Sequence, residues 1–180
     1  MAEVIIVGSG LAAACLMHRF YANNISFEVI SQPELSNSSR VAAGVWNPVV
    51  FKRLSKSWMA EQLIPEAISF YRTIEQDAGK QWLFERQIIR PFYQEQEKKL
   101  WLAKAKNELD DFLEEDIKSI DGTWLGLKMK GEFGTVNKAG NLDIPAFLDH
   151  TLQFFAQHIS IQIFEHAHLH VDDTVISYKD

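Results

Sequence analysis

The chain has 180 residues, 47% of them hydrophobic and 12% aromatic, which is enough for a packed core and excludes a low-complexity or disordered polymer. Its formal net charge of −6 excludes a protein built around a basic surface for nucleic acid or anionic lipid. Cys15 is the single cysteine, so no internal disulfide can form, and its place in an apolar run marks it for packing rather than for nucleophilic chemistry.

The opening MAEVIIVG has no basic region and no long apolar segment. Neither a secretory signal nor a membrane span is expected from it, and the expected compartment is the cytoplasm. Residues 3–7, EVIIV, form a short continuous apolar run ending at Gly8, the pattern of a strand buried in a parallel sheet. Helical spacing rich in Ala and Leu follows over 11–21 and stops at Asn23 and Asn24, and ISFEVI, 25–30, predicts a second strand. This is β-α-β within about thirty residues, the compact unit of nucleotide-binding sheets.

Residues 32–48 read as a polar and then small-residue loop. A helix is predicted over 57–78, with Ser57 as its cap, Pro65 as the place of a kink and Gly79 as its end. RQIIRPFY, 86–93, predicts a strand, and 94–109 an amphipathic helix with a solvated charged face and with Trp101 and Leu102 in the core. The five glycines between 122 and 140 suggest short antiparallel strands and turns. Asp143 is placed to cap a helix with Pro145 in its first turn, running to His158. ISIQIFEHA then reads as a strand, followed by a hairpin around Asp172 and Asp173. His166, His168 and His170 alternate along this expected strand. Neighbours in such a series are about 6.7 Å apart and the outer pair about 13 Å, so a solvated face is expected and no metal site. The block 50–138 breaks the β-α-β rhythm and is expected to be an inserted α+β domain, with 1–49 and 139–180 forming the α/β domain around the parallel sheet.

The chemistry starts at Gly8-Ser9-Gly10-Leu11-Ala12-Ala13, a G-x-G-x-x-A run placed after a strand and opening a helix. Gly8 allows the tight turn, Gly10 close approach of a pyrophosphate, and Ala13 close helix–sheet packing. The helix N-terminus offers free N–H groups and a partial positive charge. Nucleotide binding is the expectation, and a strand-to-helix turn without a ligand is the alternative. The acidic residue expected at the end of the second strand is missing: Ser31 and Gln32 stand there. Glu28 lies inside the strand, so Ser31 and Gln32 are the expected weak substitutes at the cofactor's ribose, with Glu34 reaching back as the alternative.

The glycine unit, the loop SSRVAAGVWNP and the following FKRLSKSW together resemble the FAD-dependent amino-acid oxidase superfamily, which includes glycine oxidase and D-amino-acid oxidase. AGNLDIPAFLDHTLQFF resembles the segment that returns such proteins from substrate domain to FAD domain. The resemblance runs over essentially the whole chain. It implies a Rossmann-like FAD-binding parallel sheet, incomplete here, with an inserted α+β substrate-type domain. FAD would be the cofactor, and a small amine or amino acid the substrate, oxidised at its C–N bond by hydride transfer to the flavin. Ser39 and Arg40 would lie toward the phosphate or ribitol part, Ala42, Ala43 and Gly44 beside the flavin ring, and Trp46 and Asn47 in the cavity wall. Arg53 and Arg90 are the candidate cations for a substrate carboxylate, with surface or structural roles as the alternative for each. No catalytic acid or base is identified, and hydride transfer depends more on positioning than on one.

Members of the superfamily are usually longer, so the chain is expected to be an N-terminal portion or a shortened relative. It is expected to hold FAD weakly or not at all in isolation and to self-associate through an incomplete sheet edge. A non-catalytic nucleotide-binding or interaction module is the second reading. An NAD-dependent dehydrogenase is disfavoured, because the flavin-type loop follows the second strand with no second β-α-β half.

Overall fold

The computed structural model describes residues 2–32, 38–124, 126–172 and 176–178. The chain divides into two compact units, residues 1–42 with 144–180, and residues 43–143. None of the described helices is long and apolar enough to cross a membrane.

The first unit is built on a three-stranded parallel sheet. Val4–Val7 pairs with Phe27–Ser31, Val4 opposite Phe27 and Val7 opposite Ile30. Ile159–Ile161 pairs with the other side of Phe27–Ser31, Ile159 opposite Val29. The second strand is therefore central, and Phe27, Val29 and Ile30 are buried. Helix Leu11–Ala22 buries Ala13, Ala14 and Met17, and helix Ile144–Phe154 buries Phe147 and Leu148 against it. Each fully buried side chain of this size contributes about 1.5–3 kcal/mol. Asp143 directly precedes the second helix, Pro145 lies in its first turn, and a 3₁₀ turn, Ala156–His158, continues it.

The third strand is shorter than the predicted 159–167. The second strand is Phe27–Ser31: Gln162 N–H still donates to the Ser31 carbonyl at 3.1 Å, and the chain bends at Gln162. The Tyr178 hydroxyl takes over, accepting from Glu165 N–H and donating to the Ile163 carbonyl. Residues His166–His168 form a 3₁₀ turn while His170 lies on strand Leu169–Val171, so the three histidines do not alternate on one strand. That strand pairs antiparallel with Ile176–Tyr178. The predicted turn between them includes Asp173, outside the described residues.

The second unit is antiparallel. Gly140–Leu142 lies between Val45–Trp46 and Leu83–Glu85. Leu127–Val136 lies between Ile88–Pro91 and Lys118–Trp124. Trp101, Leu109, Phe112 and Val136 form the core, and the Trp101 indole lies so close to Gly134 that an added Cβ would collide with it. Leu102, predicted to be core, is half-buried. The predicted strand 86–93 is Ile88–Pro91, and Leu83–Glu85 ahead of it is a further strand that the sequence did not announce. The predicted helix 94–109 is Glu95–Ala105, opened by a capping box between Gln94 and Glu97.

Ser57 does not cap the 57–78 helix. Its hydroxyl donates to the Asn47 carbonyl at 3.0 Å, and the helix runs Ala60–Ala78 from Met59, whose φ is +51°. It continues through Pro65 and ends at Gly79, with φ +62°. The units meet the chain at 42/43 and 143/144, where the sequence suggested 49/50 and 138/139, because Val45–Trp46 and Gly140–Leu142 pair with each other inside the second unit.

Candidate functional site

The strongest site lies in the first unit, at the carboxyl ends of its three parallel strands, where open α/β sheets bind ligands. A cleft of about 460 Å³ opens there between the Gly8–Gly10 turn, Ser31 and Gln32, Ser38 and Ser39, and the segment 162–164. Gly8 has φ +102° and its N–H donates to the Ile30 carbonyl at 2.8 Å, so the turn needs a conformation that side chains disfavour. Gly10 has φ −77° and precedes the first helical residue, so its backbone angle makes no such demand.

The helix start carries unused donors. Leu11 N–H donates to Ser39 Oγ at 3.1 Å, and among the described residues the N–H groups of Ser9, Gly10, Ala12 and Ala13 have no acceptor. Ala13 is buried, as close helix–sheet packing requires, while Ala12 is exposed. Ser31 donates its hydroxyl to Ser9 Oγ at 2.6 Å, tying the end of the second strand to the turn. Gln32 Oε1 is buried and has no hydrogen-bond partner among the described residues. Among the described residues no charged side chain lines the cleft. The polar groups that the described lining offers are dipoles: backbone N–H groups, serine hydroxyls and two amides.

Phe164 stacks on Tyr178, ring centroids 5.0 Å apart and planes 20° from parallel, which fixes one wall. Gln162, Ile163, Phe164 and Ser38 were not singled out by the sequence reading. The signal for the 162–164 segment was the third β-strand, whose carboxyl end must fall beside the first two. A cleft with a glycine turn, unused N–H donors and an orphaned buried carbonyl fits the ADP part of a dinucleotide cofactor.

The other candidate residues stand as follows. Glu28 is exposed and bounds a separate cleft with Ser26, His158 and Ser160, and Glu34 lies outside the described residues. Arg40 is paired with Asp149 at 2.6 Å and is not part of the cleft lining. Ala42 and Ala43 are exposed, and Gly44 has φ +67°. In the second unit, Trp46 Nε1 donates to the Lys138 carbonyl and its ring lies against Gly140. Asn47 Oδ1 accepts from Val49 N–H at 2.9 Å, holding a turn. The Arg90 guanidinium donates to the Phe51 carbonyl, lies over the Phe51 ring and contacts Glu97 at 3.4 Å. Arg53 is exposed and has no ion-pair partner among the described residues.

The fold is shared with solved amino-acid oxidase and deaminase structures, in line with the fold that the sequence resemblance implied. Iminodiacetate oxidase from Chelativorans sp. BNC1 superposes with a TM-score of 0.69 over 97% of this chain and 50% of its own, at 13% identity. Glycine oxidase from Bacillus cereus ATCC 14579 gives 0.62 over 96% and 50%, at 15% identity. The L-amino acid deaminase from Proteus vulgaris gives 0.60 over 98% and 43%, at 16% identity. The chain thus spans about half the length of the solved structures it matches. No protein-family model matches it, and no curated protein matches it in sequence.

Proposed function

We propose that the chain forms the nucleotide-holding part of an FAD-dependent oxidoreductase that oxidises the C–N bond of a small amine or amino acid. The observation that carries the nucleotide reading is the cleft itself: a positive-φ glycine turn and, among the described residues, unused N–H donors at Ser9, Gly10, Ala12 and Ala13 and no charged side chain in the lining. These donors hold the diphosphate, and Ile163 and Phe164 offer the apolar wall for the adenine ring. Bound FAD would supply a hydride acceptor.

The amine-oxidising part of the reading is supported by the shared fold and by the structures named iminodiacetate oxidase and glycine oxidase. In this reading the first unit is the FAD domain and the second the substrate domain. Arg53 is the better candidate for a substrate carboxylate than Arg90, whose guanidinium is already engaged.

The test has two stages. Adding FAD to the purified chain should perturb the flavin absorption bands and raise the melting temperature. Anaerobic addition of glycine, iminodiacetate or a panel of D- and L-amino acids to the FAD-loaded protein should then bleach the flavin for at least one substrate. Loaded flavin that no substrate bleaches would end the amine-oxidase reading, and a chain that FAD leaves unaltered would end the nucleotide reading as well.

A further inference from the structure

The second unit carries a cavity of its own, about 390 Å³, between helix Ala60–Ala78 and the residues around Phe112. That size falls within the range of small-molecule sites. Every residue lining it lies between 60 and 138, and Trp46, Asn47, Arg53 and Arg90 are not among them. Ile64 and Ile68, one helical turn apart, stay half-buried and form an apolar wall with Pro65.

The rim is charged, and its charge selects a sign. Glu61, Glu85 and Asp111 line the cavity, with Lys138 the one cation among the described lining residues. The chain's own ammonium groups show what such a rim holds. Lys138 Nζ lies 3.1 Å from Asp111 Oδ1 and 5.4 Å from the centre of the Phe112 ring. Lys56 Nζ pairs with Glu61 and lies 5.9 Å from the same ring. Glu85 is the least committed of the three carboxylates. Its ion pair is with Arg72 Nη2 at 3.3 Å, and the same guanidinium is held more closely by Glu75, at 2.7 Å, and by the Leu83 carbonyl, at 3.1 Å. The Glu85 side chain is 56% exposed, so it is open to contact, and Ser69 on the same cavity is exposed as well.

We propose that this cavity binds a small amphipathic amine, its ammonium donating to the Glu85 carboxylate and the Ser69 hydroxyl and its alkyl body lying along Ile64, Pro65 and Ile68. The site is separate from the nucleotide cleft, which belongs to the first unit, and does not rest on the reading of that cleft. An ammonium brings three donors and no acceptor, which suits a carboxylate beside a hydroxyl. Its alkyl stem gains by leaving water for the isoleucine wall. An anionic ligand of the same length would meet three carboxylates instead.

Amide NMR of the isotope-labelled chain, titrated with hexylammonium, hexanol and hexanoate, tests this on the wild type and three variants. Hexylammonium should give saturable shifts at Ile64, Ile68, Ser69 and Glu85. It should bind about fivefold more tightly than hexanol, the value of one half-exposed charge pair. Hexanoate should bind about tenfold more weakly than hexylammonium. Glu85→Gln, at an exposed position, should make hexylammonium and hexanol equal. Ser69→Trp should fill the cavity and abolish the binding of both, with melting curves showing that it is folded. Glu66→Gln, on the same helix but outside the lining, should behave as wild type. The proposal is overturned if hexanol or hexanoate matches hexylammonium on the wild type, or if the shifts gather outside the lining. It is equally overturned if Glu85→Gln keeps the preference, if Glu66→Gln removes it, or if folded Ser69→Trp binds as before. Should Ser69→Trp fail to fold, Glu85→Gln decides.

Discussion

Gly8→Ala isolates what the first turn requires. Gly8 has φ +102°, and a Cβ built there meets nothing within 4 Å. Space is therefore not at issue, and the whole penalty is that of holding an L-residue in a backbone conformation it disfavours. That penalty is about 1–2 kcal/mol. For a chain of this size it corresponds to a fall in melting temperature of about 2–8 °C. The turn can yield in only one other way, by relaxing φ, which would swing Ser9 and Gly10 and misalign their unused N–H groups. Both routes leave a trace. Urea unfolding with tryptophan fluorescence reads the first, and ADP titration reads the second. The expected result is a loss of about 1–2 kcal/mol in stability, a loss of about tenfold in ADP affinity, or a division between the two. A variant with wild-type stability and wild-type ADP affinity would refute the claim that a left-handed glycine holds this turn.

Two further predictions concern titratable groups in the two units. Glu75 is buried on helix Ala60–Ala78 and accepts from Trp82 N–H at 2.5 Å, Leu83 N–H at 2.6 Å and Arg72 Nη1 at 2.7 Å. Glu75→Ala orphans two buried N–H groups and should cost about 2–4 kcal/mol in urea unfolding, with a cost under about 0.5 kcal/mol refuting the role. Burial pushes the Glu75 carboxyl up, but the Leu83 and Trp82 N–H groups and Arg72 outweigh it and hold the carboxyl below its ordinary value. A depressed carboxylate stabilises fully above its unfolded pKa and loses that contribution as pH falls through the folded one, so the gap between wild type and Glu75→Ala should shrink below about pH 4. His18 packs among Phe147, Phe154 and Phe155, with Nε2 3.0 Å from Thr151 Oγ1. Burial, then the charge of His150, lowers its pKa from 6.5 to about 4. The unfolded chain therefore binds the proton first, and stability should decline as pH falls from 6.5 toward 4. The full shift corresponds to about 3 kcal/mol by linkage, reduced to roughly 1–2 kcal/mol by the ring's partial contact with water. His18→Leu should flatten that slope in unfolding curves taken across the window, and an unchanged slope would contradict the assignment.

The opening of the molecule was legible because its signals are local. An apolar run, a glycine with positive φ and an Ala-rich helix sit within about twenty residues of one another, as the βαβ fingerprint demands. Gly79 was legible for the same reason, since a left-handed helix end favours glycine. What escaped depends on contacts distant in sequence. Ser57 has a cap residue's chemistry, yet its hydroxyl is taken by the carbonyl of Asn47, ten residues earlier. The unit boundary follows from Val45–Trp46 pairing with Gly140–Leu142, which no local pattern announces. The cleft residues 162–164 read as more strand, because nothing local reveals that the second strand ends at Ser31 and that Tyr178 supplies the bonds beyond it. Ser39 was placed near the phosphates by resemblance, but its hold on Leu11 N–H appears only in three dimensions.

The account stands on the cleft at the Gly8 turn being a nucleotide site, and amide NMR of the isotope-labelled chain titrated with ADP tests that most directly. Saturable shifts should appear at Ser9, Gly10, Ala12, Gln32 and Phe164, and FAD should displace ADP from them. Spectra that ADP leaves unchanged, or shifts gathered at residues outside this cleft, would contradict the account.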